Sequence, residues 1–203
     1  MNLELNNIGK KYNKEWIFRG INLSLSENDR YVVLGSNGSG KSTFIKLIAG
    51  FNIPSEGDIQ FSNIKSDNFY KQISIAAPYL DLYTDFTLKE LATFHAELKP
   101  FRTGIDQKEF IKLIELAHAT DKQLKHFSSG MLQRVKLGLA ILSNTPILLL
   151  DEPTSNLDKK AIIWYNELLS QNIKNKIILI ASNRQDEEYK VCDKALEIEK
   201  YKV

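Results

Sequence analysis

A nine-residue run, 35–43, constrains the fold of this chain more than any other feature of the sequence. It reads Gly-Ser-Asn-Gly-Ser-Gly-Lys-Ser-Thr and fits G-x-x-x-x-G-K-S/T, the pattern of a loop between a buried strand and a helix. The apolar run 31–34 comes directly before it, and residues 43–49 after it place apolar side chains on one helical face. The sequence therefore predicts a strand, a glycine-rich loop and a helix in direct succession.

The residue types in this loop suit the binding of a polyphosphate. Gly38 and Gly40 lack a Cβ, so the backbone can curl and direct its N–H groups inward, beside the positive end of the following helix. Lys41 is expected to reach the β- and γ-phosphates of a nucleotide, and the Ser42 hydroxyl to ligate Mg²⁺. A chance match to the four fixed positions is on the order of one in a hundred at the average frequency of glycine. The predicted nucleotide contacts are Gly35, Ser36, Asn37, Gly38, Ser39, Gly40, Lys41, Ser42 and Thr43.

Composition limits the classes of protein to which the chain can belong. With 203 residues, of which 43% are hydrophobic, it can bury the core of one domain with room for a subdomain. The net charge of +2 gives no indication of a nucleic-acid partner, and the single cysteine, Cys192, excludes an intrachain disulfide. The sequence shows no signal peptide, and no apolar run approaches the roughly 20 residues that cross a bilayer. Any role at a membrane is therefore expected to depend on a partner.

Hydrophobic periodicity predicts the order of strands and helices. The expected strands are 3–8, 21–25, 31–34, 58–61, 73–76, 147–150, 177–181 and 195–199. The expected helices begin near Thr43, at a capping box in 87–90, after Asp106 and near Gly130, and two more cover 159–171 and about 185–191. Alternation of apolar strands with helices is typical of an α/β domain with a mostly parallel sheet. We expect a single domain with a core of residues 1–78 and 143–203 and an inserted α-helical subdomain at about 79–142.

A pair of carboxylates follows the apolar run 147–150. Asp151 and Glu152 should lie at the carboxyl edge of the sheet, where open α/β sheets bind ligands and where the glycine-rich loop also lies. Asp151 is a candidate for holding Mg²⁺ opposite Ser42, and Glu152 for orienting or deprotonating the water that attacks the γ-phosphate. The alternative is a loop that begins with two solvated acids, an interpretation that the neighbouring phosphate-binding loop disfavours.

Three further segments resemble the nucleotide-binding subunit of ATP-binding-cassette (ABC) transporters. Residues 127–131, Phe-Ser-Ser-Gly-Met, are similar to the family's signature, usually Leu-Ser-Gly-Gly-Gln, and Gln-Arg-Val at 133–135 matches its usual continuation. Residues 155–158, Ser-Asn-Leu-Asp, resemble the D-loop that follows the carboxylate pair. Tyr12, 23 residues before the first loop glycine, is similar in position to the aromatic residue that stacks on adenine, with Trp16 as the alternative. With the loop and the carboxylates, the resemblance covers nearly the whole chain.

This resemblance implies a P-loop NTPase fold with an N-terminal antiparallel β part, and ATP and Mg²⁺ as ligands. It also implies a head-to-tail dimer, in which Ser128 and Gly130 of one cassette touch the nucleotide held by the other. Ser128 could instead only cap the helix that follows, and both roles are compatible. The implied partners are a second cassette and a transmembrane permease subunit, which would place the chain at the cytoplasmic face of a membrane.

The sequence departs from the family pattern at three places. Pro78 stands where a glutamine normally contacts Mg²⁺ and water, and Asn183 stands where a histidine is usual. The signature carries Ser129 and Met131 where glycine and glutamine are usual. Asn183 can offer a neutral hydrogen bond to a γ-phosphate, but it cannot titrate near pH 7. We therefore expect slow ATP hydrolysis that depends on Glu152, Lys41 and Mg²⁺.

Two other functions remain open from the sequence. One is a nucleotide-gated dimerisation module with little or no turnover, which the replaced glutamine and histidine would suit. The other is a soluble ABC protein outside transport, which the single cassette and the near-neutral charge disfavour.

Overall fold

Two β-sheets organise the protein, and the computed structural model describes residues 1–62 and 66–203. A three-stranded antiparallel sheet has the order β2-β1-β4, and a five-stranded parallel sheet has the order β5-β6-β7-β3-β8. The antiparallel strands are β1 (Asn2–Tyr12), β2 (Glu15–Ser26) and β4 (Glu56–Phe61). The parallel strands are β3 (Arg30–Leu34), β5 (Ile73–Ala76), β6 (Ile147–Asp151), β7 (Ile177–Ser182) and β8 (Lys194–Glu197). The predicted α/β fold, with a mostly parallel sheet and an N-terminal antiparallel part, is confirmed.

In the described part of the chain, five α-helices connect and cover these strands. They are α1 (Lys41–Ile48), α2 (Leu88–Leu98), α3 (Gln107–Leu113), α4 (Ser129–Leu142) and α5 (Lys159–Gln171). Side chains cap the N-termini of four of them: Thr87, which forms the predicted capping box, Asp106, Ser128 and Asp158. Short 3₁₀ turns cover Ser66–Gln72, Ala117–Ala119, Leu124–His126, Asp186–Glu188 and Ile198–Tyr201. Within the described residues, no helix has both the length and the apolar character needed to cross a membrane.

The central strands of the parallel sheet are buried on both faces. Every residue of β6 and β7 is buried, because helices and the antiparallel sheet cover both faces of the parallel sheet. One apolar cluster joins α1 and the antiparallel sheet to one face, and a second joins α2–α5 to the other face. The parallel strands are thereby held with their carboxyl ends at a common edge.

Three of the expected elements, one helix and two strands, differ from the structure. The helix expected over 185–191 is only the turn Asp186–Glu188, because the Glu188 side chain turns inward to accept hydrogen bonds from Thr154. The expected strands 3–8 and 21–25 are parts of the much longer β1 and β2. Register shifts within β1 and a left-handed Asn7 (φ 51°) interrupt the alternation of apolar and polar residues there, so periodicity could not reveal the full length.

A buried histidine gives the fold a dependence on pH that can be measured. The His95 ring stacks on Phe101 with 5.4 Å between ring centroids, and its Nε2 lies 2.8 Å from the Ser143 hydroxyl oxygen. Burial, helped by the nearby Lys99 ammonium, lowers the pKa of His95 from its ordinary 6.5 to about 4. Between pH 6.5 and pH 4 the unfolded chain therefore binds a proton that the folded protein does not bind. The free energy of unfolding falls as the pH drops through this range.

We expect this group to account for a loss of about 2 kcal/mol in the free energy of unfolding between pH 7 and pH 5. Urea unfolding at both pH values should give a smaller difference for His95→Gln than for the unmodified protein. His118→Gln is the matched control, since His118 is exposed. An undiminished difference between the two pH values in His95→Gln would contradict the assignment.

Candidate functional site

The glycine-rich loop joins β3 to α1 through two backbone conformations that favour glycine. Gly38 and Gly40 have φ values of 76° and 104°. A Cβ on Gly40 would also lie 2.6 Å from the Ile17 side chain, so the second antiparallel strand leaves no space for one. Gly40 is the N-cap of α1, and within the described residues no side chain caps this helix. Its first amide groups are therefore available to an anion.

A cavity of about 310 Å³ opens over the loop. Its lining combines loop and helix residues with one residue each from β2 and from the turn after β6: Asn37, Gly38, Gly40, Lys41, Ser42, Thr43, Ile17 and Glu152. Lys41 is 4% exposed, and its Nζ donates to the carbonyl oxygens of Gly35 (2.9 Å) and Ser36 (3.0 Å). The lysine is thus held against the loop beside the cavity.

Three of the predicted loop contacts do not line this cavity. Glu199, after β8, accepts hydrogen bonds from the Ser36 backbone N–H (3.0 Å) and hydroxyl (2.5 Å). These bonds lower the pKa of the Glu199 carboxyl. The Ser39 side chain is fully buried, and a Cβ on Gly35 would approach its Oγ to 2.3 Å. Gly35, Ser36 and Ser39 therefore shape the loop, and any contact they make with a ligand must come from the backbone.

Asp151, the last residue of β6, has the features of a cation ligand. Its side chain is 1% exposed, and neither carboxylate oxygen has a hydrogen-bond partner among the residues that the structure describes. Burial raises the pKa of Asp151, and the neighbouring Glu152 acts in the same direction, while the nearby Ser42 hydroxyl, whose geometry falls short of a hydrogen bond, and the ammonium groups of Lys41 and Lys46 oppose them. A buried, unpaired carboxylate is costly unless a cation balances it.

The donor set around Asp151 fits Mg²⁺ better than a metal held by protein alone. In the described part of the chain, no group of three or more His, Cys, Asp or Glu side chains could hold a metal ion. Mg²⁺ commonly binds one or two carboxylates together with water and substrate phosphates. Asp151 and the Ser42 hydroxyl would supply the protein ligands, and a nucleotide beside Lys41 would supply the others.

Glu152 faces the same cavity from a strained turn. Its backbone is left-handed (φ 46°), and its N–H donates to the Ala181 carbonyl oxygen at 3.0 Å. Two side chains from elsewhere fix the residues that follow. Gln133 Nε2 donates to the Pro153 carbonyl at 2.8 Å, and the buried Glu188 accepts from the Thr154 hydroxyl at 2.8 Å. Burial raises the pKa of Glu188.

Ser128 and Gly130 lie at a separate surface. A second cavity of about 330 Å³ is lined by Ser128–Met131, Arg134, Asn156–Asp158 and Ala161, and it shares no lining residue with the first. The Ser128 hydroxyl accepts from the Met131 N–H at 3.2 Å, as a helix N-cap does. A Cβ on Gly130 would lie 3.1 Å from the Asn156 carbonyl oxygen, so the segments at 127–131 and 155–158 are adjacent.

Of the last two predicted site residues, Asn183 lies beside the glycine-rich loop and Tyr12 lies outside the cavity. Asn183 follows β7, and its Nδ2 lies 3.4 Å from Asn37 Oδ1, which brings it to the glycine-rich loop. Tyr12 ends β1, is 46% exposed and accepts a hydrogen bond from Asn52 at 3.2 Å, but it does not line the cavity. The Trp16 ring contacts the cationic groups of Lys11 and Arg19 and does not line the cavity, whereas Ile17 and Phe18 of β2 lie against Gly40 in the loop.

Comparison with known proteins agrees with this geometry. The model of the ABC transporter family matches residues 18–155. The uncharacterized ABC transporter ATP-binding protein YybJ of Bacillus subtilis is 30% identical over 97% of this chain and 92% of its own length. The spermidine/putrescine import ATP-binding protein PotA of Spiroplasma citri is 31% identical over 78% of this chain, which spans only 47% of PotA.

A solved structure also shares the fold. It is the dimeric, post-hydrolysis state of the ATP-binding cassette MJ0796 bound to ADP and Pi, with a TM-score of 0.81 and 24% identity over 97% of this chain and 95% of that one. The family match covers more than half of the chain, and the glycine-rich loop and the carboxylate pair lie within it. The chain therefore belongs to the ABC transporter family, as an ATP-binding cassette with the P-loop NTPase fold.

Proposed function

We propose that this protein binds and slowly hydrolyses ATP with Mg²⁺ to energise transport by a membrane complex. The observation that carries the proposal is the convergence of Lys41, Ser42, Asp151 and Glu152 at one edge of the parallel sheet. Members of this family are ATPases, and one related cassette holds ADP and Pi. The amide groups of the loop and the Lys41 ammonium would hold the phosphates, and Asp151 and Ser42 would hold Mg²⁺, which neutralises charge on the transferred phosphoryl group.

Glu152 would act on the attacking water. Its carboxylate accepts the proton as the water oxygen bonds to the γ-phosphorus and the bond to the ADP oxygen breaks. Pro78 offers no side-chain donor, and Asn183 near Asn37 offers only a neutral one. The loss of two polar groups that assist water and phosphate supports slow turnover. It also favours the second candidate, a nucleotide-gated dimerisation module with little hydrolysis.

A head-to-tail dimer would complete each site. Ser128 and Gly130 lie at an exposed helix N-terminus, apart from the phosphate-binding cavity of the same chain. A second cassette placed with this surface over the loop would add a hydroxyl, backbone amides and a helix N-terminus to the phosphates. The partner cassette is either a second copy of this chain or a related chain.

We propose that the other partner is a transmembrane permease subunit, with the chain at the cytoplasmic face of the membrane through that partner. A cavity of about 230 Å³ lies between the end of β5 and the helices α2 and α4. Leu80 and Leu82 line it together with Lys99 and Lys136. Phe86 instead packs against Tyr83 and Phe94, with ring centroids 5.6 and 5.7 Å apart.

Light scattering with Mg²⁺ and a non-hydrolysable ATP analogue tests the dimer. The unmodified protein should dimerise, whereas Ser128→Arg should bind the analogue but remain largely monomeric, because Ser128 serves the site of the other cassette. Ser170→Arg is the control, since Ser170 is exposed near the end of α5. A Ser128→Arg protein that dimerises and turns over ATP normally would contradict the head-to-tail arrangement.

Purification from native membranes tests the role in transport. A stoichiometric multi-span partner, together with ATP turnover that rises in the complex, is the expected result. A soluble partner and no membrane association would contradict the transport role.

A further inference from the structure

Tyr79 has a buried hydroxyl that makes no hydrogen bond to the described residues. It lies after β5, next to the exposed Pro78, which stands where a glutamine is usual in the family. Its Oη is inaccessible to solvent and has no hydrogen-bond partner among the described residues. The Lys46 ammonium, from the last turn of α1, lies 3.9 Å from the centroid of the ring. This cation–π contact fixes the ring against the helix that begins at the phosphate-binding loop.

The unpaired carboxylate of Asp151 belongs to the last residue of the strand next to the one that leads to Tyr79. Strands β5 and β6 are parallel neighbours in which Ala76 pairs with Leu150, so residues after both strands leave the sheet at the same edge. Burial raises the pKa of Tyr79, and the charge of Asp151 raises it further. Lys46 in turn opposes the rise in the pKa of Asp151. Tyr79, Lys46 and Asp151 therefore form one electrostatic group.

Three buried polar atoms in this group have no partner in the described structure: Tyr79 Oη and both Asp151 carboxylate oxygens. Such atoms are uncommon in folded proteins, because a buried polar group without a hydrogen bond is destabilising. A phenol keeps its proton at neutral pH and both donates and accepts hydrogen bonds. One donor and two acceptors at the same edge are suited to a water that also belongs to a bound cation.

We propose that Tyr79 is a positioning residue of the ATP site, whose hydroxyl holds a water in the shell of the Mg²⁺ bound by Asp151 and Ser42. It would supply from the next position in the chain a polar contact that Pro78 cannot make. The inference rests on the proposed binding of ATP with Mg²⁺. Tyr79 does not contact the phosphates in this arrangement, so its effect should depend on Mg²⁺ and not on the nucleotide alone.

Titration of Mg²⁺ at a fixed concentration of a fluorescent, non-hydrolysable ATP analogue tests this inference with Tyr79→Phe. This variant keeps the ring over Lys46 and removes only the hydroxyl. The Mg²⁺ concentration at half-maximal binding should rise roughly five- to tenfold, as expected for the loss of one ordinary hydrogen bond. Affinity for the analogue in EDTA should be unchanged. Tyr83→Phe is the control, because Tyr83 is 64% exposed and packs beside Phe86.

The outcomes separate this inference from the proposed function. Equal Mg²⁺ midpoints in Tyr79→Phe and the unmodified protein would overturn the role of Tyr79 and leave the proposed function intact. Loss of binding in EDTA as well would assign the hydroxyl to the shape of the pocket and would also overturn it. An unmodified protein that binds no analogue with or without Mg²⁺ would instead refute the proposed function.

Discussion

Replacing Glu152 by Gln should lower the single-turnover rate of ATP hydrolysis about 100-fold, while the affinity for ATP changes little. A positioned general base contributes roughly 10²- to 10⁴-fold to a rate, and the low end is expected here because the auxiliary glutamine and histidine are already missing. The amide has nearly the shape of the carboxylate but cannot accept the proton of the attacking water. Glu152 lines the cavity over the glycine-rich loop, so it already lies beside the loop proposed to hold the phosphates.

The measurement is a rapid-quench experiment with protein in excess of ATP, combined with equilibrium binding of ATP. Glu187→Gln is the matched control, since Glu187 is an exposed carboxylate two residues after Gln185. Equal single-turnover rates in Glu152→Gln and the unmodified protein would remove Glu152 from the mechanism. A parallel loss of ATP affinity would show that the side chain binds the nucleotide instead of acting on water.

Local sequence pattern was enough to predict which residues meet at the centre of the candidate site. The loop 35–43 and the pair Asp151 and Glu152 each follow an apolar run, and the structure brings both to the carboxyl edge of the same sheet. Helix starts were equally accessible, because the capping residues Thr87 and Asp106 act on amides only three positions away. Interactions within a few residues leave a signature in the sequence that spacing can reveal.

The long-range hydrogen bonds that hold the site residues in place could not be predicted from local sequence pattern. Glu199 binds Ser36 across 163 residues, Glu188 binds Thr154 across 34, and Gln133 binds Pro153 across 20. Each depends on how distant elements pack, and no local pattern marks the partner. For Glu188, the sequence pattern predicted a short helix over 185–191. In the structure the segment forms only one 3₁₀ turn, and the Glu188 side chain is buried.

Replacing Lys41 by Ala should weaken ATP binding at least 100-fold, which corresponds to about 3 kcal/mol. In the proposed function the ammonium group would donate charge-assisted hydrogen bonds to the β- and γ-phosphates, and such bonds are roughly twice as strong as neutral ones. In the structure its Nζ is held by the carbonyl oxygens of Gly35 and Ser36, so the side chain is already placed beside the loop before ligand binds. Little conformational entropy is then lost when the phosphates arrive.

Because Lys41 is buried, its removal could also disturb the loop, and the test must separate the two effects. Titration calorimetry with ATP and Mg²⁺ measures binding, and thermal unfolding without nucleotide measures the loop's contribution to stability. Lys112→Ala is the control, since the Lys112 side chain is 75% exposed on α3 and pairs only with Glu109 among the described residues. Lys41→Arg keeps a positive charge at the loop and should retain more affinity than Lys41→Ala if charge is the cause. Unchanged affinity in Lys41→Ala would mean that the phosphates bind elsewhere, and the assignment of residues 35–43 would fail with it.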